Sequence, residues 1–318
     1  MTASRTDGGP AVVPGPRLGL ITDRTARPGE RLVLALLAGA AGLSIVVTIG
    51  IVLSLLFPAI EFFRQVPLLD FLTGTRWAPR FRGQESYGIL PLVTGTLWTT
   101  AIGLLIAVPF GLGAAVYLSE YARPSVRRVL KPVLEVLAGI PSVVYGFFAL
   151  TFVTPILLKD LLNLPVGTFS VLAAGLVLGV MIIPTVASLS EDAMSAVPQS
   201  LRHGSLALGA NRMRTTLRVV FPAAISGIMA SIVLALSRAI GETMIVALAA
   251  GTQPTMATSP LDAGQTMTGF IAQTATGESV PGTLSYDTLY AVGIALFAIT
   301  LVINLISIRL VRRIREAY

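Results

Sequence analysis

The sequence predicts an all-α integral membrane protein with six transmembrane helices and both termini in the cytoplasm. Three observations lead there. First, the 318 residues are 54% hydrophobic and only 12% charged, where an ordinary soluble domain is about 25% charged; mean hydropathy is +0.80. So apolar a chain needs lipid as its solvent. Second, uncharged stretches recur at 32–60, 86–119, 136–158, 161–190, 219–237, 243–261 and 288–308, most of them reaching the roughly 20 residues that cross a bilayer. Third, lysine and arginine alternate in abundance from one connecting segment to the next.

Residues 1–30 are polar and rich in Gly, Pro, Thr and Arg; they predict a disordered cytoplasmic arm, followed by one transmembrane domain over 31–318. The first helix is placed near 32–57. Its apolar stretch of 29 residues follows a polar tail of 31, whereas a signal peptide has an apolar core of about 7–15. The second, third and fourth helices fall near 92–119, 134–158 and 168–189. The next two stretches are separated only by Arg238-Ala-Ile-Gly-Glu242, so they read as one helix near 222–250 holding two charges, with a polar tail from Gly251. The sixth lies near 287–309. Pro109, Pro141 and Pro184 fall inside spans, where packed neighbours can satisfy the freed carbonyls. Gly39, Gly42, Gly111, Gly113, Gly175 and Gly179 permit close helix approach.

Orientation follows from the basic residues. Seventeen lie in the N-terminal tail, the loops after helices two and four, and the C-terminal tail; five lie in the alternate loops. The positive-inside rule then puts both termini in the cytoplasm. The net charge of +7 is thus sorted by membrane side rather than gathered into a nucleic-acid surface.

Several chemistries are excluded. There is no cysteine, hence no disulfide framework, thiolate metal site or cysteine nucleophile. His203 is the sole histidine, which leaves no His cluster for a metal. A P-loop needs Gly-Lys-Ser/Thr to cradle phosphates, but the two lysines are followed by Pro132 and Asp160. The chain has no nucleotide site of that kind.

The cytoplasmic loop 191–221 is too long for a plain connector, which in bundles runs about 2–8 residues. Ser195 to Ser200 can cap a helix with Pro198 in its first turn, and Leu201, Ser205, Leu208 and Arg212 recur at helical spacing. Gly209 sits where that helix would stop, Asn211 can adopt the left-handed turn conformation, and a second short helix over 212–220 leads into Pro222. From pattern alone, the alternative to a folded element is an amphipathic helix resting on headgroups. Yet Ser205-Leu-Ala-Leu-Gly209-Ala210, nine residues, then Val219-Val-Phe221-Pro222 resembles the EAA loop of importer-type ABC permeases. Gly209, Val219, Phe221 and Pro222 fall on its last four marked positions, and the Glu-Ala-Ala triplet falls on His203-Gly204-Ser205, so its acidic residue is absent. The resemblance implies a coupling helix that docks on an ATPase subunit, with His203 a surface residue there.

The likeness spans nearly the whole chain beyond residue 30. Gly88-Ile-Leu-Pro91-Leu-Val-Thr-Gly95-Thr96, Ala138-Gly-Ile-Pro141-Ser-Val-Val-Tyr145-Gly146 and Ser237-Arg238-Ala-Ile-Gly241-Glu242-Thr243 resemble the phosphate-uptake permeases. The long outer loop 58–91, with Trp77-Ala-Pro79, is closer to the PstC-type than to the PstA-type subunit. What this implies is a permease subunit of an ATP-driven phosphate importer in a bacterial cytoplasmic membrane, not itself an enzyme. It would have a PstA-type permease beside it, two copies of a cytoplasmic ATPase inside carrying ATP and Mg, and a phosphate-binding protein outside. The chain itself would bind no cofactor. Rival readings are an ABC permease for sulfate or molybdate, and a self-contained secondary transporter. The latter should show paired internal repeats, which are not apparent.

Arg238 and Glu242 are the candidate substrate-pathway residues. Arg238 would lie about 24 Å along its helix from Pro222, past the middle of a core about 30 Å thick. An arginine there costs roughly 2.5–3.5 kcal/mol on an insertion scale. Glu242, four residues on, would share its face. Two readings stay open: an internal ion pair that neutralises both, or an anion station in which the planar guanidinium meets phosphate oxygens and the carboxylate accepts a proton that hydrogen phosphate carries and sulfate lacks. Other positions are weaker. Glu135 is expected to pair with Lys131. Arg76, Arg80 and Arg82, with Trp77 and Phe81, fit an outer partner or headgroups equally. Asp262, Glu278 and Asp287 read as a solvated outer face, and Tyr145, Phe147 and Phe148 as helix packing.

Overall fold

The computed structural model describes residues 28–81, 83–277, 280 and 282–316. Most of the predicted cytoplasmic arm therefore lies outside the described residues. All regular structure among them is helical, with one isolated bridge between Trp77 and Tyr87. Six helical stretches are long and apolar enough to cross a membrane: Leu32–Gln65, Leu90–Tyr121, Ser142–Leu161, Val171–Ser195, Arg212–Ile240 and Leu284–Arg309.

The chain divides at Ile51 into two units. Helix α1 (Pro28–Gln65) begins in the first, where Leu34, Leu37 and Val46 are exposed along with most of its apolar residues. A helix that is apolar all round and unburied is built for lipid.

In the second unit, the short helix α2 (Leu68–Thr73) follows α1. There Phe62, Phe71, Trp77, Ile89, Leu92, Met267 and Phe270 form one core, with ring pairs such as Trp77–Phe270 edge-to-face at 5.0 Å. Helix α3 (Leu90–Val116) starts on Pro91, whose missing amide suits a first turn, and widens into a π turn at Tyr117–Tyr121. Helix α6 (Val171–Ser195) is capped by the Ser170 hydroxyl, which accepts from the Ala173 amide at 3.1 Å. It is the most enclosed of the six spans and packs along α3. Close approach is what glycine supplies here: a Cβ at Gly179 would sit 2.9 Å from the Gly103 carbonyl oxygen, and one at Gly175 would sit 2.7 Å from Ile102 Cβ. Gly111 is similarly tight against Val186, whereas Gly113 faces open space.

Two of the predicted spans are broken. The third is not one helix over 134–158. A basic amphipathic helix, α4 (Pro124–Ala138), ends at Gly139, and α5 (Ser142–Phe148) begins after Pro141, continuing as a π-helix over Ala149–Leu161. Pro141 is extended, at ψ 134°, and so marks the break instead of sitting inside a span. The residue before a proline is pushed away from helical geometry, which puts the join there. The fifth is not one helix over 222–250 either. After α7 (Gln199–Ala207), the segment α8 (Arg212–Thr215), a π turn (Thr216–Val220) and α9 (Phe221–Ile240) run continuously. The helix then stops at Gly241, and α10 (Met244–Ala249) follows. Two contacts hold this break. The Glu242 carboxylate turns back onto the α10 amides, and the Thr268 hydroxyl donates to the Glu242 carbonyl at 2.7 Å. Helices α11 (Met267–Thr276), which carries Thr268, and α12 (Leu284–Glu316) complete the order.

Candidate translocation and coupling sites

Arg238 sits in the last turn of α9, and its side chain is exposed. Its Nη1 donates to the Thr185 hydroxyl of α6 at 3.3 Å. Glu242 Oε1 accepts from the amides of Met244 and Ile245 at 3.1 and 3.3 Å. Carboxylates are well placed at a helix start, where the first amides lack internal partners. The break at Gly241 removes the i,i+4 geometry on which an internal pair depended. Among the described residues Arg238 has no ion-pair partner. The site therefore presents a guanidinium with unused donors on an open face of the membrane domain, one turn from a helix start that a carboxylate already occupies.

The candidate coupling loop has the helix–turn–helix shape read from its sequence. Helix α7 follows Pro198, and the chain reverses at Gly209, whose φ is +82°. Asn211 is not left-handed: at φ −78° and ψ 167° it is extended, and its side chain caps α8 by accepting from the Arg214 amide at 2.8 Å. His203 and Gly204 are exposed, and Ser205 shares a 2.9 Å hydroxyl contact with Thr215 that ties α7 to α8. Leu201, Leu206 and Leu208 are exposed too, Leu208 at 90%. Val219, Phe221 and Pro222 are half-buried where the loop enters α9.

Where α6 ends and the loop begins lies a charge network that the sequence reading missed. Glu191, near the end of α6, is fully buried. It accepts from Arg127 and, at 2.8 Å, from Lys131, both on α4. Lys131 also meets Asp192 at 2.5 Å, and Arg127 meets the Ser195 hydroxyl at 3.0 Å. These contacts, Asp192 first and Glu191 second, hold the Lys131 ammonium above its ordinary value against the opposing effect of burial. Glu135 does not pair with Lys131 as expected, because Lys131 reaches across to α6. One signal was available: Arg127 and Lys131 are four residues apart on α4, as are Glu191 and Ser195 on α6. A second buried pair joins Arg202 of α7 to Glu120 in the π turn after α3, at 2.9 Å. Nothing in the sequence links residues 82 apart.

The weaker candidates separate. Trp77 is buried in the core it shares with Phe71 and Phe270, while Arg76 contacts Gln84 at 3.4 Å and Arg80 contacts Thr274 at 3.5 Å. Arg82 and Glu278 lie outside the described residues. Asp262 closes its own turn by accepting from the Ser259 amide at 2.9 Å. Tyr145 packs on the main core and donates to the Leu137 carbonyl. Phe147 and Phe148 remain exposed.

Residues 107–317 match the family described as "Binding-protein-dependent transport system inner membrane component". The chain is 39% identical over 245 residues to a "Probable ABC transporter permease protein YqgH" of Bacillus subtilis, covering 77% of this chain and 76% of that one. It is 34% identical to the "Phosphate transport system permease protein PstC" of Mesorhizobium japonicum, covering 77% and 79%. With "Phosphate transport system permease protein PstC 1" of Mycobacterium tuberculosis it shares 35% identity, covering 77% and 82%. In fold it is similar to a chain of a bacterial alginate ABC transporter, with TM-score 0.61 and 17% identity over 90% of this chain and 96% of that one. A chain of the MetNI methionine ABC transporter matches with TM-score 0.51 and 19% identity, covering 71% and 94%.

Proposed function

We propose a substrate and a mechanism from one premise: the chain belongs to the binding-protein-dependent transport system inner membrane component family, and within it to the PstC-type ABC permeases. It is a multi-pass membrane subunit of an ABC importer. In our reading the imported substrate is inorganic phosphate. A PstA-type permease completes the pathway, two copies of an ATPase hydrolyse ATP with Mg inside, and a phosphate-binding protein delivers substrate outside. The membrane is the bacterial cytoplasmic membrane, with both termini on its inner side.

The observation that carries the reading is Arg238 without a carboxylate partner. A charge left exposed within a spanning segment marks an ion path, and a planar fork of donors suits a phosphate oxygen pair. Thr185 orients the guanidinium through Nη1, leaving its other donors for an anion. Glu242 fixes the start of α10 next to it. ATP binding would close the ATPase pair, move the α7–α8 loop and turn the Arg238 face from one side of the membrane to the other.

Reconstituting the chain with its neighbouring permease, ATPase and binding protein tests this. ATP-driven uptake of radiolabelled phosphate, with sulfate and molybdate failing to compete, is the expected result. Uptake of either of those anions in preference to phosphate would overturn the substrate.

A further inference from the structure

Leu201, Leu206 and Leu208 of the coupling loop are exposed, whereas Arg202 is buried, and its side chain reaches the ends of two spanning helices, at Glu120 and Met194, and the Val197 carbonyl between α6 and α7. Arg202 Nη2 donates to Glu120 Oε1 at 2.9 Å and to the Met194 carbonyl at 2.7 Å, while Nη1 donates to the Val197 carbonyl at 2.5 Å. Nε completes a two-pronged grip on Glu120 at 3.3 Å. The Met194 and Val197 contacts return to the chain immediately before α7. Glu120 is different, because it belongs to the π turn that ends α3. A second residue of the loop grips the same turn: the Arg212 guanidinium lies over the Tyr121 ring, 5.6 Å from its centre. The Ser205–Thr215 contact joins the two gripping segments to each other.

We infer that Arg202 and Glu120 are positioning residues for transport: they lock the docking helix α7 to the inner end of α3, so that the two move as one body when the ATPase shifts the loop. This rests on the reading of the loop as an ATPase-docking element. Covalent continuity already joins α7 to α6 through residues 196–198. The tie to α3 has no such support and depends on side chains alone. A buried ion pair in which one guanidinium also serves two carbonyls holds one arrangement and penalises partial separation, since a lone buried charge is strongly unfavourable. The fork geometry lets a single side chain hold the α6 end and the α3 end together, which the point charge of a lysine cannot reproduce. The triplet His203-Gly204-Ser205 that lacks the family's glutamate follows directly, so this helix is anchored inward by the residue just before it.

The test uses the whole importer in lipid. The chain has no cysteine, so spin labels at Leu208→Cys, on the exposed end of the docking helix, and Leu105→Cys, on the exposed side of α3, report one distance. With Arg202 and Glu120 intact, that distance should be the same without nucleotide and with ATP trapped. In Glu120→Gln and Arg202→Gln it should differ between the two states. Phosphate moved per ATP hydrolysed should then fall by roughly 2- to 30-fold, and less in Arg202→Lys than in Arg202→Gln. A distance that changes between states in the labelled chain with both residues intact overturns the proposal, and needs no variant of the pair. So does a fall in uptake and ATP hydrolysis in equal proportion, which is what a merely structural defect would give. If the intact importer carries no phosphate but the distance behaves as described, the substrate reading fails and the lock stands.

Discussion

Arg238 and Glu242 stand four residues apart and do not meet. Arg238 donates to Thr185 at 3.3 Å, across to α6, while Glu242 accepts from the amides of Met244 and Ile245 in its own chain. Had the helix continued, both charges would have fallen on one face and cancelled. The break at Gly241 divides their work. The carboxylate satisfies a helix start, and the guanidinium keeps donors that no carboxylate among the described residues takes.

The α3–α6 contact should be sensitive to a single methyl group. Gly179→Ala places a Cβ 2.9 Å from a backbone oxygen, whereas Gly113→Ala meets open space. Overpacking of this kind costs about 1–3 kcal/mol, so thermal unfolding in detergent should shift downward for Gly179→Ala and stay put for Gly113→Ala. Equal shifts in the two would contradict the packing described.

At Gly209 the strain would be in the backbone alone, because φ is +82° and no atom lies within 4 Å of an added Cβ. Gly209→Ala should cost about 1 kcal/mol, Gly209→Val more, and Gly209→Asn least, since asparagine tolerates the left-handed region. ATPase retention on affinity purification should fall in that order while membrane insertion is unchanged.

Lys131 gives a pH signature. Its ammonium is held above the ordinary 10.5, chiefly by Asp192 and then Glu191. A raised folded value means that this contribution is complete below 10.5 and is lost as pH climbs through the raised value. The stability difference between the native chain and Lys131→Met, about 1–3 kcal/mol, should therefore be flat from near-neutral pH up to that point and shrink only above it. A difference that instead faded below neutral pH would assign it to the carboxylates.

Sidedness follows from the basic residues. In intact cells an impermeant maleimide should label Glu85→Cys in the outer loop and spare Leu208→Cys in the coupling loop until the membrane is opened. The reverse pattern would invert the topology.

The six spans were legible because lipid imposes length and apolarity on each segment independently. The turn at Gly209 was legible for a local reason as well, since a helix end calls for a residue that accepts positive φ. The two breaks were not. Gly241 alone does not stop a helix of strong formers; the stop is held by Thr268, 26 residues on, and by the Glu242 carboxylate turning forward onto α10. The same is true of Glu120 and Arg202, which look like ordinary loop charges until the fold brings them together. Arg127 read only as a marker of membrane side, and Lys131 as that and a partner for Glu135, until the fold brought both to the buried Glu191.

The central claim is that Arg238 serves an anion and not Glu242. Because the two are not paired, removing both charges should not restore what removing one destroys. Arg238→Gln loses a charge-assisted contact of about 1.5–3 kcal/mol, so phosphate uptake into proteoliposomes should fall roughly 10- to 100-fold, with partial recovery in Arg238→Lys. Glu242→Gln keeps an oxygen for the Met244 and Ile245 amides and should assemble normally. The decisive measurement is ATP-driven phosphate uptake by the double variant Arg238→Gln, Glu242→Gln, with ATPase rate recorded alongside. Uptake as low as in Arg238→Gln alone is predicted, and near-normal uptake would make the two residues a mutually neutralising pair and contradict the account.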